Sequence, residues 1–250
     1  MLVEVRGTPV AIDLIDPRVM HVLREASGTD EVCRALEHLL GNGDCFLDVG
    51  ANHAAYAAFA SSLVGTTGRV LAFEPQPELA VLIRRTYRAL QRDPADVHEV
   101  ACTDRETRLT LAVPPGMSGS ASLYGAADGT RSPRSVTVYA RRIDDVVRGI
   151  DLPGRVVMKL DVEGAELDAI RGARTLMRDR GTSIVLEVNP STSARAGYGL
   201  GELADELHAL GYRSSCEIDD LHTRLPLVTI TRGPQRNVVV VHDRPTRSDG

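Results

Sequence analysis

Five carboxylates stand where apolar runs end: Asp48 after CFL, Glu74 after VLAF, Asp161 and Glu163 after VVMKL, and Glu187 after SIVL. Acidic side chains in such places can accept hydrogen bonds from hydroxyls, face a cation, ligate a metal or take a proton. Asp161, Glu163 and Glu187 form the expected catalytic set, with Asp161 the first choice as general base. Crowded like charges raise the pKa of one member toward a useful base. The same three could instead hold a divalent cation such as Mg²⁺ through oxygen ligands, and the sequence does not separate these uses. Glu163 and Glu166 also fit the first turn of a helix, where negative charge complements the dipole.

The stretch FLDVGANHAAY, residues 46–56, runs from an apolar segment through a short turn into an alanine-rich helix. A dinucleotide site needs several glycines to bring pyrophosphate against backbone N–H groups, and this turn has only Gly50, followed by Ala51, Asn52 and His53. That argues against NAD or FAD. S-adenosylmethionine, an adenosine without phosphate, needs one close-approach glycine. Asp48 stands where it can attract the ammonium of that ligand. Glu74 stands roughly 20 residues on, where an acidic side chain accepts from ribose hydroxyls. Pro75 and Ala101 are expected beside the same ligand. His53 could face the methionine moiety or the acceptor.

Positioning these groups requires strands alternating with helices. Strands are expected at 45–49, 69–75, 97–103, 156–162, 183–188, 212–218 and 237–242, with helices near 29–40, 52–63, 78–91, 163–178 and 200–210. This rhythm predicts a doubly wound, mostly parallel α/β sheet that binds ligand beyond the carboxyl ends of its strands. Residues 107–113 and 135–141 alternate like an inserted β-hairpin. Between them, a Gly, Ser and Pro-rich stretch at 114–133 is long enough to be a lid or a disordered loop. Its Ser120 and Ser122, with Asn189 and His222, are the candidate substrate contacts. The expected organisation is an N-terminal strand pair and helix over 1–43 packed on the core, a main domain over 44–243, and a disordered tail at 244–250.

At this point a resemblance becomes specific. DVGAN (48–52), VLAFEPQPE (70–78), VACTD (100–104), KLDVEGAELDAIRGA (159–173) and VLEVNP (185–190) resemble the FkbM-type methyltransferase family over residues 44–190. The resemblance implies a class I methyltransferase (Rossmann-like) fold with a seven-stranded sheet and helices on both faces, S-adenosylmethionine as cofactor, and hydroxyl acceptors on natural products or sugars. It also implies glycine two residues after Asn52, where this chain has Ala54. Alanine is the best helix former, so the expectation is that residue 54 is already helical; a positive φ there would instead strain the cofactor loop and bear on cofactor affinity. Lys159, the only lysine of the chain, falls inside the most specific motif.

Composition bounds the rest. The 250 residues carry a net charge of -5, with 43% hydrophobic residues, which suits one buried core and argues against a nucleic-acid partner, for which a basic face is expected. No run reaches the roughly 18 apolar residues of a membrane span, and no signal peptide is evident, so a soluble cytoplasmic protein is expected. The four cysteines are scattered without zinc spacing and read as reduced, mostly buried thiols. The expected partner is a small hydroxylated molecule, free or carrier-bound. N-methylation and a non-catalytic, cofactor-binding scaffold are the alternatives; the oligomeric state is not legible.

Overall fold

A computed structural model describes residues 1–5, 7–14, 19–125 and 132–242, the side chain of His21 excepted. Residues 126–131 of the expected lid and the 244–250 tail lie outside the described residues. The chain opens with the antiparallel pair β1 (Leu2–Val5) and β2 (Thr8–Ala11), then helices α1 (Val19–Ala26) and α2 (Glu31–Leu39). The alternating core follows as β3 (Cys45–Val49), α3 (Ala55–Val64), β4 (Arg69–Phe73), α4 (Pro77–Ala89) and β5 (Val97–His98). A small second sheet is built from β6 (Ala101–Cys102), β7 (Thr107–Val113) and β8 (Arg134–Arg141). Then come α5 (Ile143–Val146), β9 (Val156–Leu160), α6 (Glu166–Gly172), α7 (Arg174–Arg180), β10 (Ser183–Val188), α8 (Pro190–Arg195), α9 (Leu200–Ala209), β11 (Tyr212–Glu217), β12 (Asp220–Pro226) and β13 (Arg236–His242).

The main sheet has the order β12-β11-β13-β10-β9-β3-β4-β5. Its centre is parallel, while β13 runs antiparallel between β10 and β11. This is the doubly wound class I methyltransferase arrangement, and β12 adds an eighth strand at the edge where seven were expected. β3 and β9 are buried along their whole length, as strands covered on both faces must be. Leu47, Met158 and Leu186 face one apolar layer with Leu167, Ile170 and Leu207 of the helices. Phe46, Val157 and Val185 face the other, with Leu36, Ala57 and Ile83. Each fully buried large apolar side chain contributes ~1.5–3 kcal/mol, so the two layers fix which face every polar residue of these strands must take. The N-terminal segment packs on the second face. Val10 and Val22 meet Ala55 and Ala58, and the backbone N–H of Ala11 donates to Thr86 Oγ1 at 2.8 Å. All four cysteines are buried and free.

Several boundaries differ from expectation for local reasons. The strand expected at 97–103 is divided between the two sheets as β5 and β6. The helix expected at 163–178 begins only at Glu166, because Glu163 and Gly164 both have positive φ, 53° and 107°. It breaks again at Gly172, where an added Cβ would stand 2.1 Å from the Thr103 carbonyl oxygen. The largest correction concerns Ala54. It is not helical but left-handed, φ 56° and ψ 37°, and α3 starts after it. The turn closes through an Ala54 N–H to Ala51 carbonyl bond of 2.6 Å, and Asn52 within it is left-handed as well, at φ 52°.

Candidate active site

A cavity of about 400 Å³ opens at the carboxyl ends of β3, β4, β9 and β10. Gly50 forms its floor with φ 83°, and a Cβ there would stand 1.9 Å from the Asp161 carbonyl oxygen. The turn after β3 therefore rests directly on the turn after β9. Glu74 closes β4, and its carboxylate organises the wall. Oε2 accepts from the Asn52 N–H at 2.8 Å, and Oε1 accepts from the Gln76 N–H at 2.9 Å. Burial pushes its pKa up to about 7 against those two bonds, and each oxygen keeps a lone pair for a further donor. Phe73, Pro75, Val100, Ala101 and Leu111 supply an apolar side to the same space.

At the other end stand Asp161, Glu163 and Glu187, as expected, together with Lys159, Gln235 and Glu25 of α1. Lys159 Nζ donates to Asp161 Oδ2 at 2.9 Å and lies 5.0 Å over the Tyr56 ring. Burial opposes its charge, but Asp161 and Asp48 outweigh that and hold the ammonium above the ordinary lysine value. Glu187 Oε1 accepts from Gln235 Nε2 at 2.6 Å, while its buried Oε2 has no hydrogen-bond partner among the described residues. Burial, then the charge of Asp161, raises Glu187 to about 8, although Gln235 pulls the other way. Among the described residues no three His, Cys, Asp or Glu side chains are grouped to hold a metal ion, so Asp161, Glu163 and Glu187 share the cavity without forming a ligand set.

Other expected residues take different places. Asp48 does not line the cavity. It lies beneath, 1% exposed, with Oδ2 accepting from the Ala57 N–H at 3.1 Å and a pKa raised by burial to about 6. A direct contact to a ligand ammonium is replaced by a buried charge below the turn. His53 is buried with Nδ1 2.8 Å from Asn52 Oδ1 and is likewise absent from the lining. Glu166 is structural: its carboxylate accepts from the N–H groups of Val162 and Gly164 and from Tyr198 OH, which pins the left-handed turn. Asn189 caps α8 by accepting from the Ser191 and Thr192 N–H groups. His222 sits exposed on β12 against His38, away from the cavity. Neither Asn189 nor His222 lines the cavity.

The described part of the expected lid is a strap over the cavity. Ser120 lines the space, but Ser122 is buried and donates to the Glu163 carbonyl at 2.7 Å. Gln76 Nε2 donates to the Ser118 carbonyl at 2.9 Å, and Tyr124 OH donates to Asp168. Sequence reasoning gave Lys159 no role, though its being the only lysine was a signal. Glu25, Tyr56, Gln76 and Gln235 arrive by tertiary packing and carried none.

These side chains suit S-adenosylmethionine. Among the described residues the lining holds five carboxylates, those of Glu25, Glu74, Asp161, Glu163 and Glu187, and one cation, Lys159. That donor set disfavours a pyrophosphate and accommodates a cationic sulfonium. Glu74 would take the ribose, and the Phe73 to Leu111 side the adenine.

Comparison with known proteins agrees. The model of the methyltransferase FkbM domain matches residues 48–214. Hexuronic acid methyltransferase AglP of Haloferax volcanii is 26% identical over 181 residues, covering 69% of this chain and 67% of that protein. The 2-O-methyltransferase NoeI of Sinorhizobium fredii is 28% identical over 173 residues, covering 63% and 70%. The solved methyltransferase FkbM of Methylobacillus flagellatus aligns with a TM-score of 0.49 and 15% identity, over 92% of this chain and 55% of that one, so this chain spans about half its length. With a family match that begins at Asp48 and runs through both carboxylate-bearing turns and β10, the chain belongs to the FkbM family of S-adenosylmethionine-dependent methyltransferases.

Proposed function

We propose that the protein is an O-methyltransferase acting on a hydroxyl of a small polyhydroxylated acceptor, with Glu187 as the proton acceptor. The observation that carries this reading is the Glu187 carboxylate. It lines the cavity, is held at one oxygen by Gln235, and offers a buried second oxygen with no partner among the described residues, its pKa raised by burial to about 8. Bound S-adenosylmethionine supplies an electrophilic methyl on a sulfonium. The residues of the chain hold the acceptor in line, exclude water beneath the strap, and receive the hydroxyl proton at Glu187 Oε2 as the acceptor oxygen gains the methyl. Alignment of this kind is worth up to ~7–11 kcal/mol, and a placed base ~10²- to 10⁴-fold in rate. The names of the two relatives, a hexuronic acid methyltransferase and a 2-O-methyltransferase, support a sugar-like hydroxyl.

A non-catalytic relative would be favoured if the left-handed Ala54 disabled the cofactor turn. Its strain is ~1–2 kcal/mol, small beside the ~8 kcal/mol of a micromolar ligand, so it weakens binding without abolishing it. The test is calorimetry with S-adenosylhomocysteine, followed by methyl transfer from labelled S-adenosylmethionine to a panel of hydroxylated glycosides. Glu187→Gln should keep S-adenosylhomocysteine affinity and lose ~10²- to 10⁴-fold in turnover. Full turnover in that variant would remove Glu187 as the base, and absence of S-adenosylhomocysteine binding would remove the whole reading.

A further inference from the structure

Every Lys or Arg position in the chain is arginine except one, and that lysine is inside the cavity. Lys159 is 3% exposed. Strand register sets it opposite Asp48 of β3. Its neighbours come from four elements: Asp48 beside it, Asp161 at the end of its own strand, the Tyr56 ring of α3 over it, and Glu25 of α1. A buried ammonium standing alone would shed its proton; here three carboxylates hold it. Lysine suits the place because its charge is a compact point on a flexible stem, whereas guanidinium is a broad planar fork.

We propose that Lys159 is a positioning residue for methyl transfer, a fixed buried cation whose hydrogen bond to Oδ2 holds the Asp161 carboxylate in one orientation at the cavity. Asp161 Oδ2 accepts from Nζ in a charge-assisted bond, whereas among the described residues Glu187 is held only by the neutral Gln235 amide and its Oε2 has no partner. The lysine thus fixes where the Asp161 carboxylate stands relative to Glu187, the proposed base. The inference rests on the methyl-transfer reading for its meaning, but its test does not depend on an acceptor.

Because there is one lysine, the full chain labelled with ¹³C at lysine Cε gives a single side-chain signal. In the wild type that signal should stay at its charged-state position through the pH where free lysine titrates, ~10.4. In Asp161→Asn it should titrate at least tenfold more readily, and in Glu187→Gln as in the wild type. A wild-type titration at or below the ordinary lysine value would overturn the proposal, as would an Asp161→Asn signal that behaves like the wild type. The wild-type curve decides even if the variant folds poorly. S-adenosylhomocysteine added to the same sample separates the two claims: a signal that does not move counts against the cofactor cavity, while the titration judges Lys159.

Discussion

At residue 54 an alanine holds the left-handed backbone that glycine adopts freely. Left-handed conformation costs an L-residue ~1–2 kcal/mol, while glycine there loses ~0.5–1 kcal/mol through its freer unfolded chain. Loss of the fully buried Ala54 methyl costs a further ~0.8 kcal/mol, so the terms nearly cancel and Ala54→Gly should change stability by less than ~1 kcal/mol. Urea unfolding with and without S-adenosylhomocysteine measures this, and a destabilisation well beyond ~1 kcal/mol would show that packing of the Ala54 methyl outweighs the backbone strain. Gly50→Ala runs the other way. Its new methyl meets the Asp161 carbonyl at 1.9 Å, and positive φ adds to the clash, so a loss of ~2–5 kcal/mol and of ligand binding is expected. Ala54 also shows why the sequence misled at this point: helix propensity favours alanine in α3, but residue 54 still belongs to the turn that precedes the helix.

The strap over the cavity behaves as one element because its bonds reach three different parts of the fold: Gln76 ahead of α4, the Glu163 turn, and Asp168 of α6. Ser122→Ala would leave the Glu163 carbonyl without this donor, at ~1 kcal/mol, and should speed amide exchange through residues 117–122 as read by hydrogen-exchange mass spectrometry. Unchanged exchange would mean that Gln76 and Tyr124 suffice to hold the strap. The parallel strands were legible because continuous apolar runs such as VVMKL have no other use in a chain of this rhythm. α8 was not, because its six residues, PSTSAR, have no apolar stripe and depend on the Asn189 cap. The carboxylates at strand ends were legible for the same reason as the strands. Which of them face the cavity was not: Asp48 points into the α3 layer through the pleat, and Glu166 is taken by backbone donors of a left-handed turn that no pattern announces.

For the whole molecule, buried carboxylates set the response to pH. Asp48, Glu74 and Glu187 are raised by burial to about 6, 7 and 8. The folded state therefore retains protons that the unfolded chain gives up above ~4, and stability from these groups falls as pH rises toward about 8. Glu206, lowered chiefly by its hydrogen bond from Arg174, acts oppositely but only in acid. His98, lowered by burial, contributes only below the ordinary histidine value of ~6.5. Urea midpoints should thus decline between about pH 6.5 and 8, and Glu187→Gln should flatten the upper part of that decline. A midpoint that climbs over the same interval would contradict the burial of these carboxylates.

The close approach of Gly50 to the Asp161 carbonyl joins the turn after β3 to the turn after β9, which on the proposed reading would serve the methyl donor and the acceptor respectively. A shift of either turn would press on the other, so occupancy of one site is expected to bias the other. Such bias is reciprocal by thermodynamic necessity: whatever factor an acceptor adds to S-adenosylhomocysteine affinity, S-adenosylhomocysteine must add to the acceptor's. An acceptor that binds weakly to the free protein can then be found by screening with the donor product present.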